Sequence, residues 1–438
     1  MDVRRADVSK RVVLTCWGSY GDLFPYLAIA LRLKAMGHRP LVVTIAFHRE
    51  MVERHGLEFH PMRPDVDPSD TDLIARIMHP ARGPEVLIRE LVVPAVRDAL
   101  SDVCDAIRGV DLVISHPVAF AVPIAADALK VPWLSTVLAP TSLFSVHDFP
   151  VLPPSPMAMT LARTSPWIAR VFMAIIRRVT SSWTMPVRGL RREVGLADTG
   201  SPLLEGQFSP RGTLALFSPV FGPPQVDWPV NTTATGFVFH DDGAPMAADV
   251  ERFMAAGPPP IVFTLGSSAT NAAGRFYEES VNAATAVGKR ALLLVGRDPR
   301  NRPATTWPDT VCAAEYAPHA QVFPRAAAVV HHGGVGTTGQ ALRAGRPMLV
   351  VPHSHDQPDN AFRCRRLGVA RTIDARFYTA RRVAPLLRAI CDDPGYAARA
   401  HAIGMQVQRE DGVGLACATI SRALGAPAPD DRQGAWAR

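Results

Sequence analysis

A glycine-rich turn near residue 335 is the strongest chemical signal in the sequence. The run HHGGVGTT (331–338) stands between an apolar stretch that predicts a buried strand and a stretch that predicts a helix. Glycines let backbone N–H groups approach an anion closely, and the positive end of a helix favours negative charge. We therefore expect a diphosphate at this turn, with further hydrogen bonds from His332, Thr337 and Thr338.

The same turn admits a second interpretation. Gly334, Gly336 and Gly339 satisfy the G-x-G-x-x-G spacing of dinucleotide sites, and Asp356 follows at about the expected 20 residues. This alternative predicts NAD binding. However, two histidines separate the strand from the glycines, and Asp356 falls in a proline-flanked loop beyond the next strand, too far along to reach a ribose. Both departures disfavour the dinucleotide.

The elements that must position this turn alternate between strand and helix patterns. RVVLTC (11–16) predicts a buried parallel strand, followed by a glycine-rich turn and a helix from about Pro25 to Met36 that ends at Gly37. The first half continues with strands at 39–46, 57–62, 111–116 and 131–140, and with helices near 48–55 and 125–129. The second half repeats the alternation, with strands at 260–266, 290–296, 327–332 and 347–353, and helices at 275–288 and 338–345.

This alternation predicts parallel, doubly wound sheets with ligands at the carboxyl ends of their strands. At 438 residues the chain is too long for one comfortable core and suits two α/β domains that face each other across a cleft. We expect a first domain at 1–238, a linker with one short helix at 239–257, a second domain at 258–405, a helix at 406–425 that packs back toward the first domain, and a frayed tail at 426–438.

The composition is that of a globular protein. Hydrophobic residues make up 47% and charged residues 20% of the chain, and no apolar run reaches the roughly 20 residues that a spanning helix needs. The first apolar run has no secretory cleavage site after it. We therefore expect a cytoplasmic protein. Six cysteines without a C-x-x-C pair argue against a zinc site and a disulfide framework.

The net charge of +7 is carried mainly by arginine and would attract anions. The arginines are dispersed, so we do not expect nucleic-acid binding. One segment, 163–192, places apolar residues at helical spacing beside several arginines. It predicts either a helix that borders an acceptor pocket and is covered by its domain, or a basic amphipathic helix in peripheral contact with an anionic inner membrane.

At this point the sequence resembles a known family. The segment 314–368 looks like the nucleotide-sugar box of family 1 glycosyltransferases, in the bacterial variety that includes rhamnolipid-type rhamnosyltransferases, antibiotic glycosyltransferases and sterol glucosyltransferases. The loop GSYGDLFP (18–25) resembles their G-S-x-G-D-x-x-P loop. Two independent motifs in the correct order extend the resemblance over nearly the whole chain. It implies the GT-B fold, in which two Rossmann-like domains face each other across a cleft.

The resemblance also implies donor-site residues. Tyr316 matches the aromatic residue that stacks on the nucleotide base, with His319 where plant relatives have glutamine. Asp356 and Gln357 match the pair that holds the donor sugar. The full implied set for the nucleotide sugar is Ser19, Gly21, Ser267, Tyr316, His319, His332, Gly333, Gly334, Gly336, Thr337, Thr338, Asp356, Gln357 and Asn360.

By the same resemblance, Asp22 is the catalytic base. It lies where plant members carry a catalytic histidine, and a carboxylate in a dry cleft, with its pKa raised toward neutrality, could accept the acceptor's proton. The alternative role is a helix N-cap ahead of Pro25. His116 follows a strand where plant relatives place the partner of their base, so it is either Asp22's partner or a loop histidine with an ordinary hydrogen bond.

The implied activity is an inverting transfer of a hexose or deoxyhexose from a UDP- or dTDP-sugar to a hydroxyl of a hydrophobic acceptor, by a hexosyltransferase without a cofactor. Two D-x-D patterns, 65–67 and 70–72, resemble a metal-holding signature, but they lie in a proline-rich loop and are expected to be solvated; we expect no metal site. The other functions considered are a sugar-nucleotide epimerase of the same fold and a non-catalytic nucleotide-sugar binder.

Overall fold

Two parallel β-sheets, one in each half of the chain, form the framework of the molecule. The computed structural model describes residues 9–67, 70–153, 156–241, 243–302 and 307–425. Each sheet is flanked by helices on both faces, so the predicted α/β architecture with two Rossmann-like units is confirmed. The predicted tail at 426–438 lies outside the described residues.

The first sheet has seven strands in the order β3-β2-β1-β4-β5-β6-β7, and all neighbouring strands are parallel. The strands are β1 (Arg11–Thr15), β2 (Arg39–Thr44), β3 (Glu58–Pro61), β4 (Leu112–Ser115), β5 (Trp133–Val137), β6 (Thr213–Ala215) and β7 (Thr232–Ala234). The order reverses between β1 and β4, which is where doubly wound sheets bind ligands.

The second sheet has six parallel strands in the equivalent order β10-β9-β8-β11-β12-β13. The strands are β8 (Ile261–Thr264), β9 (Ala291–Leu294), β10 (Val311–Ala314), β11 (Ala328–His331), β12 (Met348–Val350) and β13 (Ala370–Thr372). Here the order reverses between β8 and β11, and the glycine-rich turn directly follows β11.

The helices connect the strands and cover both faces of each sheet. In the first half they are α1 (Tyr20–Ala35), α2 (Arg49–Arg54), α3 (Thr71–Ile77), α4 (Gly83–Glu85), α5 (Val96–Ile107), α6 (Ala121–Ala128), α7 (Pro156–Ala162) and α8 (Pro166–Glu193), with a π-helical segment at Val86–Val92. In the second half they are α9 (Ala248–Ala255), α10 (Gly266–Ala269), α11 (Phe276–Ala286), α12 (His319–Val322), α13 (Val335–Arg343), α14 (Gln357–Arg366), α15 (Ala380–Asp392), α16 (Pro394–Val407) and α17 (Gly412–Gly425).

The central strands read as continuous apolar runs because both of their faces are covered. In β1, Val13 faces one core and Val12 and Leu14 face the other, and all three are fully buried. The last helix, α17, returns to the first sheet, where Cys417 and Ile420 pack in the same core as α1. None of the helices in the described ranges has the length and apolar character that a bilayer-spanning segment requires.

The structure differs from the sequence predictions mainly at the sheet edges. Four short strands, β6, β7, β10 and β13, were not predicted, because three or four residues carry little periodicity. Of these, β7, β10 and β13 are partly exposed edge strands, whereas β6 is buried between β5 and β7. The helix predicted from Pro25 begins earlier, at Tyr20, so Pro25 lies inside α1. This shift places Asp22 within the first turn of the helix.

Candidate active site

Asp22 folds back over the N-terminus of α1. Its Oδ2 accepts hydrogen bonds from the backbone N–H of Ser19 (2.8 Å) and from the Ser19 hydroxyl (3.1 Å). The Ser19 hydroxyl in turn accepts one from the Gly21 N–H (3.2 Å). This arrangement is a capping box with Ser19 as the N-cap. The alternative that Asp22 is itself the N-cap is therefore wrong, and the box fixes the orientation of the Asp22 carboxylate.

Three neighbouring residues explain the form of this loop. Gly18 has a φ of +138°, and a Cβ there would lie 2.3 Å from Asp22 Oδ2, so only glycine leaves room for the carboxylate. Pro25 has no N–H, which leaves the Gly21 carbonyl without its helical hydrogen bond. Buried His48 donates from Nε2 to the Gly18 carbonyl (3.0 Å). No sequence pattern pointed to His48.

His116 lies behind Asp22, directly after β4. Its Nε2 is 3.7 Å from Asp22 Oδ1, while its Nδ1 accepts the Val118 N–H at 3.4 Å. Because Nδ1 is an acceptor, a ring proton is assigned to Nε2, which faces Asp22. The His116 side chain is buried, whereas 36% of the Asp22 side chain is exposed. The structure thus brings together the two residues that the sequence suggested as base and partner.

The Asp22 carboxyl is more acidic than an ordinary aspartate. Burial would raise its pKa, but the nearby His116 ring, together with the Ser19 hydrogen bonds, outweighs burial and lowers the pKa. This corrects the expectation of a pKa raised toward neutrality. Asp22 is ionised at neutral pH. Its Oδ1 makes no hydrogen bond to any residue that the structure describes, so it is the oxygen that can accept a proton.

The glycine-rich turn joins β11 to α13 and leaves the N-terminus of that helix open. The N-cap is Gly334, which has no side chain to bond the first helical N–H groups. The His332 ring packs against two glycines, since a Cβ would lie 2.4 Å from the ring at Gly334 and 2.5 Å at Gly266. Gly333 has a φ of +91°. An open helix N-terminus beside tightly packed glycines suits an anion.

Two buried side chains hold this turn in place. The Gly333 N–H donates to Nδ1 of His331 (3.1 Å), and the Asn360 amide donates to the Gly333 carbonyl (2.8 Å) and to Asp356 Oδ2 (2.7 Å). Burial lowers the pKa of His331 to about 3, so its ring stays neutral and able to accept. Asn360 is fully buried. It therefore positions Gly333 and Asp356, which differs from the expectation that it contacts the nucleotide sugar.

Asp356 and Gln357 lie at the N-terminus of α14. Gln357 Oε1 accepts hydrogen bonds from the backbone N–H groups of His353 (2.8 Å) and Ser354 (3.1 Å), which fixes the loop ahead of the helix. Burial raises the pKa of Asp356 to about 7, and the negative charge of Asp22 adds to the shift. One carboxyl is therefore ionised while the other titrates near neutrality.

The hydroxyls expected to contact the diphosphate differ in their surroundings. The Thr338 hydroxyl donates to the Gly334 carbonyl (2.9 Å), and its residue is fully buried. Thr338 is therefore not available as a phosphate donor, contrary to expectation. Thr337, one residue nearer the open helix end, is 9% exposed. Ser267 is exposed in the first turn of α10.

Tyr316 and His319 lie beyond the carboxyl end of β10. Tyr316 is 55% exposed, as a residue that stacks on a nucleotide base would be without its ligand. His319 begins α12, and its ring stacks on Phe323 with centroids 4.4 Å apart. Burial lowers the pKa of His319 to about 4.

The Asp22 loop and the glycine-rich turn face each other across the two halves of the chain. A Cβ at Gly336 would lie 3.9 Å from the Gly21 carbonyl oxygen. The loop that carries Asp356 is also held to the first half, because His355 donates from Nε2 to the Ile77 carbonyl (2.9 Å). The proposed base and the anion site thus share one cleft.

A buried ionic cluster, which the sequence patterns did not reveal, joins the two halves beside this cleft. Arg363 is 1% exposed and pairs with Asp359 of its own helix and with Asp148 of the first half. Asp359 also accepts from the Thr141 hydroxyl (3.1 Å). Arginines, Arg363 foremost, overcome burial and lower the pKa of Asp148 to about 2. The cluster fixes α14, and with it Asp356, against the first half.

The apolar stretches from Trp133 to Phe149 and from Trp167 to Trp183 predict a hydrophobic acceptor, and Trp183 lines a surface pocket with Pro186 and Leu190. Trp133 is buried and donates to Asp127 (3.1 Å), while Trp167 is 70% exposed on α8. A small cavity of about 20 Å³ adjoins His116, with Phe120 and Val187 in its wall.

The D-x-D carboxylates are exposed, as expected. Asp65 and Asp67 lie in a loop, while Asp70 caps α3 by accepting the Leu73 N–H (3.0 Å) and Asp72 lies in the first turn of that helix. Within the described ranges, no three His, Cys, Asp or Glu side chains are grouped so as to hold a metal ion.

Two family models match the chain. Residues 12–147 match the glycosyltransferase family 28 N-terminal domain, and residues 283–410 match the C-terminal domain of erythromycin biosynthesis protein CIII-like proteins. A curated relative, O-mycaminosyltylonolide 6-deoxyallosyltransferase of Streptomyces fradiae, is 33% identical over 426 residues, which are 94% of this chain and 96% of that protein. This chain belongs to the same family of GT-B glycosyltransferases as that relative. The predicted hexosyltransferase class is confirmed.

Other relatives extend the comparison. The glycosyltransferase is 26% identical over 434 residues to the sterol 3-beta-glucosyltransferase of Leptosphaeria maculans, a match that covers 94% of this chain and 29% of that longer protein. Among solved structures, spinosyn forosaminyltransferase superposes with a TM-score of 0.70 at 17% identity, over 95% of this chain and all of that one. The kitacinnamycin glycosyltransferase superposes with a TM-score of 0.68 at 22% identity, over 95% of this chain and 99% of that one. These structures confirm the GT-B fold.

Proposed function

We propose that this glycosyltransferase transfers a hexose or deoxyhexose by direct displacement, with Asp22 as the catalytic base. The observation that carries the proposal is the orientation of Asp22: Oδ2 is held by Ser19, Oδ1 is left to accept a proton, and the loop faces the glycine-rich turn. The acceptor hydroxyl would lose its proton to Oδ1 and attack the anomeric carbon from the face opposite the diphosphate. The configuration at that carbon inverts.

The leaving diphosphate gains negative charge as the bond to the sugar breaks. The open N-terminus of α13, the neutral His332 ring and Thr337 would donate hydrogen bonds to it, and the loss of one such donor raises a barrier by about 2.7 to 4 kcal/mol. Because these groups stabilise the leaving group, we propose that transfer does not require a divalent metal. Asp356 would bind a sugar hydroxyl, and His116 would position Asp22.

The donor and the acceptor are proposed from the comparisons. One relative is named for transfer of a 6-deoxyhexose, and two similar folds were solved with dTDP, at 20% and 18% identity. We propose a dTDP- or UDP-linked hexose or deoxyhexose as donor. We propose a hydrophobic acceptor because the relatives are named for O-mycaminosyltylonolide and for a sterol as acceptors.

The test is transfer from dTDP- and UDP-sugars to a panel of lipophilic alcohols, with the anomeric configuration of the product read by NMR. We expect an inverted glycoside at a rate that excess EDTA leaves unchanged. A product of retained configuration would refute direct displacement, and loss of turnover in EDTA would refute metal independence. Incubation with donor alone tests the other functions: a new nucleotide sugar would identify an epimerase, and binding without turnover on any acceptor a binding protein.

A further inference from the structure

The helix α8 is apolar on two opposite sides, although the fold uses only one of them. On the inner side, Ala169 packs with Phe149, and Val187 and Leu190 join the core of the first half. The outer side exposes large apolar side chains: Trp167 (70%), Val171 (43%), Ile175 (54%), Val179 (52%) and Met185 (63%). A surface helix of a globular protein normally has a single apolar face. The outer side is therefore suited to a partner that excludes water.

The charged residues within the segment that contains α8, apart from its last residue, Glu193, are all basic. No Asp or Glu occurs between Asp148 and Glu193, whereas that segment carries seven arginines. Arg178 lies three residues after Ile175 and seven after Val171, so it shares their face of the helix. Among the residues that the structure describes, the guanidinium groups of Arg170 and Arg178 have no ion-pair partner, and both residues are exposed.

We propose that this outer face of α8 docks on the surface of an anionic lipid bilayer. Apolar side chains and a tryptophan on such a helix sink into the boundary between headgroups and acyl chains, while arginines extend to lipid phosphates. The charge favours lipid over a second copy of the chain. A two-fold dimer would place the same face against itself and bring arginines together without acidic residues from this segment.

The position of α8 beside the cleft links membrane docking to the delivery of the acceptor. The last turns of the helix supply Val187, Arg188 and Arg191 to the wall of the cavity beside His116. A docked helix therefore brings that cavity close to the bilayer, where lipophilic acceptors concentrate. This consequence rests on the proposed function, whereas the docking itself does not.

Co-sedimentation of the full chain with vesicles tests the proposal. We expect binding to phosphatidylcholine vesicles that contain one third phosphatidylglycerol, weak binding to pure phosphatidylcholine, and release by high salt. The double variant Ile175→Glu/Val179→Glu should bind the anionic vesicles at least about tenfold more weakly, because it places negative charge in the apolar face. Arg170→Ala/Arg178→Ala should also lose about tenfold or more on anionic vesicles.

The matched control is Val226→Glu/Val230→Glu, which makes the same change at two valines, 90% and 61% exposed, outside α8. It should bind like the wild type, and all variants should keep the wild-type melting temperature. The proposal is overturned if the wild type does not bind anionic vesicles, or if the control loses as much binding as the α8 variant. It is also overturned if the wild type is a dimer without lipid and the Ile175→Glu/Val179→Glu variant is a monomer. Transfer to a water-soluble acceptor should be unchanged in that variant, which separates this proposal from the catalytic one.

Discussion

The helix N-termini on the two sides of the cleft are capped differently. In the first half, Ser19 and Asp22 fill the N-terminus of α1 with the protein's own carboxylate. In the second half, Gly334 leaves the N-terminus of α13 without a side-chain cap. A filled terminus holds a negative group in a fixed orientation, and an open one attracts a negative group from a ligand. On this ground we propose that the first half supplies the base and the second half binds the diphosphate.

Glycines serve both arrangements, but for different reasons. Gly18 leaves room for the Asp22 carboxylate to fold back over its own helix, whereas Gly266 and Gly334 leave room for the His332 ring beside the open helix.

Two carboxyls also differ across the cleft. The pKa of Asp22 is lowered and that of Asp356 is raised to about 7, so near neutral pH an ionised carboxylate lies near a carboxyl that can be protonated.

The largest effect should follow from removing the charge of the filled terminus. Asp22→Asn keeps an oxygen that can accept from Ser19, so the helix should remain capped, but an amide cannot act as base. We expect kcat to fall by about 1,000-fold or more, within the range of a positioned general base. The dissociation constant for dTDP or UDP, measured by calorimetry, should change less than threefold, about 0.6 kcal/mol. A variant that retains turnover would remove Asp22 from the mechanism.

The next effect tests the open terminus. In Gly334→Ala the new Cβ would lie 2.4 Å from the His332 ring, so the turn must shift. We expect nucleotide affinity to fall by about 100-fold, as expected for the loss of about 2.7 kcal/mol of interactions. Gly189→Ala is the control, because it makes the same change within α8 where no atom lies within 4 Å. Equal affinity of the two variants would show that the turn does not bind the diphosphate.

A smaller effect should distinguish His116 as a positioning residue. His116→Asn removes the ring that helps to lower the pKa of Asp22, while burial, which raises that pKa, remains. The active form is the carboxylate, so the acidic limb of the kcat profile should move to higher pH, with a loss of about tenfold at the optimum. If the maximal kcat falls but the acidic limb of the pH profile stays at the same pH, His116 has a purely structural role.

The last effect concerns stability rather than catalysis. The folded protein keeps the proton of Asp356 up to about pH 7, whereas the unfolded chain loses it near the ordinary value of 3.8. The stabilisation of the fold that the raised pKa of Asp356 provides is therefore complete below pH 3.8. It is lost as the pH rises from 3.8 to about 7, by up to about 1.4 kcal/mol per pH unit. Asp356→Asn removes this dependence. Its melting temperature relative to wild type should rise between pH 4 and pH 8; a constant difference would contradict the raised pKa.

Much of the donor side could be predicted from the sequence, because its signals are local. The run 331–338 combines a buried strand, glycines and a helix start, and each part has its own pattern. Asp22 was identified from the resemblance of its loop to G-S-x-G-D-x-x-P, and its pKa was predicted in the wrong direction. The reason is that His116, far away in the chain, lies close to it only in the fold.

What the sequence could not indicate depends on contacts between distant segments. Asn360 was grouped with residues that touch the ligand, yet it is buried and holds Gly333 and Asp356. The ionic cluster around Arg363 joins residues from both halves and has no local pattern. The helical period of α8 predicted its amphipathic character, but only its packing shows which apolar side is covered.

A crystal structure of the Asp22→Asn variant with intact donor and acceptor tests the central claim most directly. We expect the diphosphate on the backbone N–H groups that begin α13, and the acceptor hydroxyl between residue 22 and the anomeric carbon, within about 3.2 Å of the side chain of residue 22 or one water away. A diphosphate bound elsewhere, or an acceptor hydroxyl on the same face of the sugar as the diphosphate, would contradict the account.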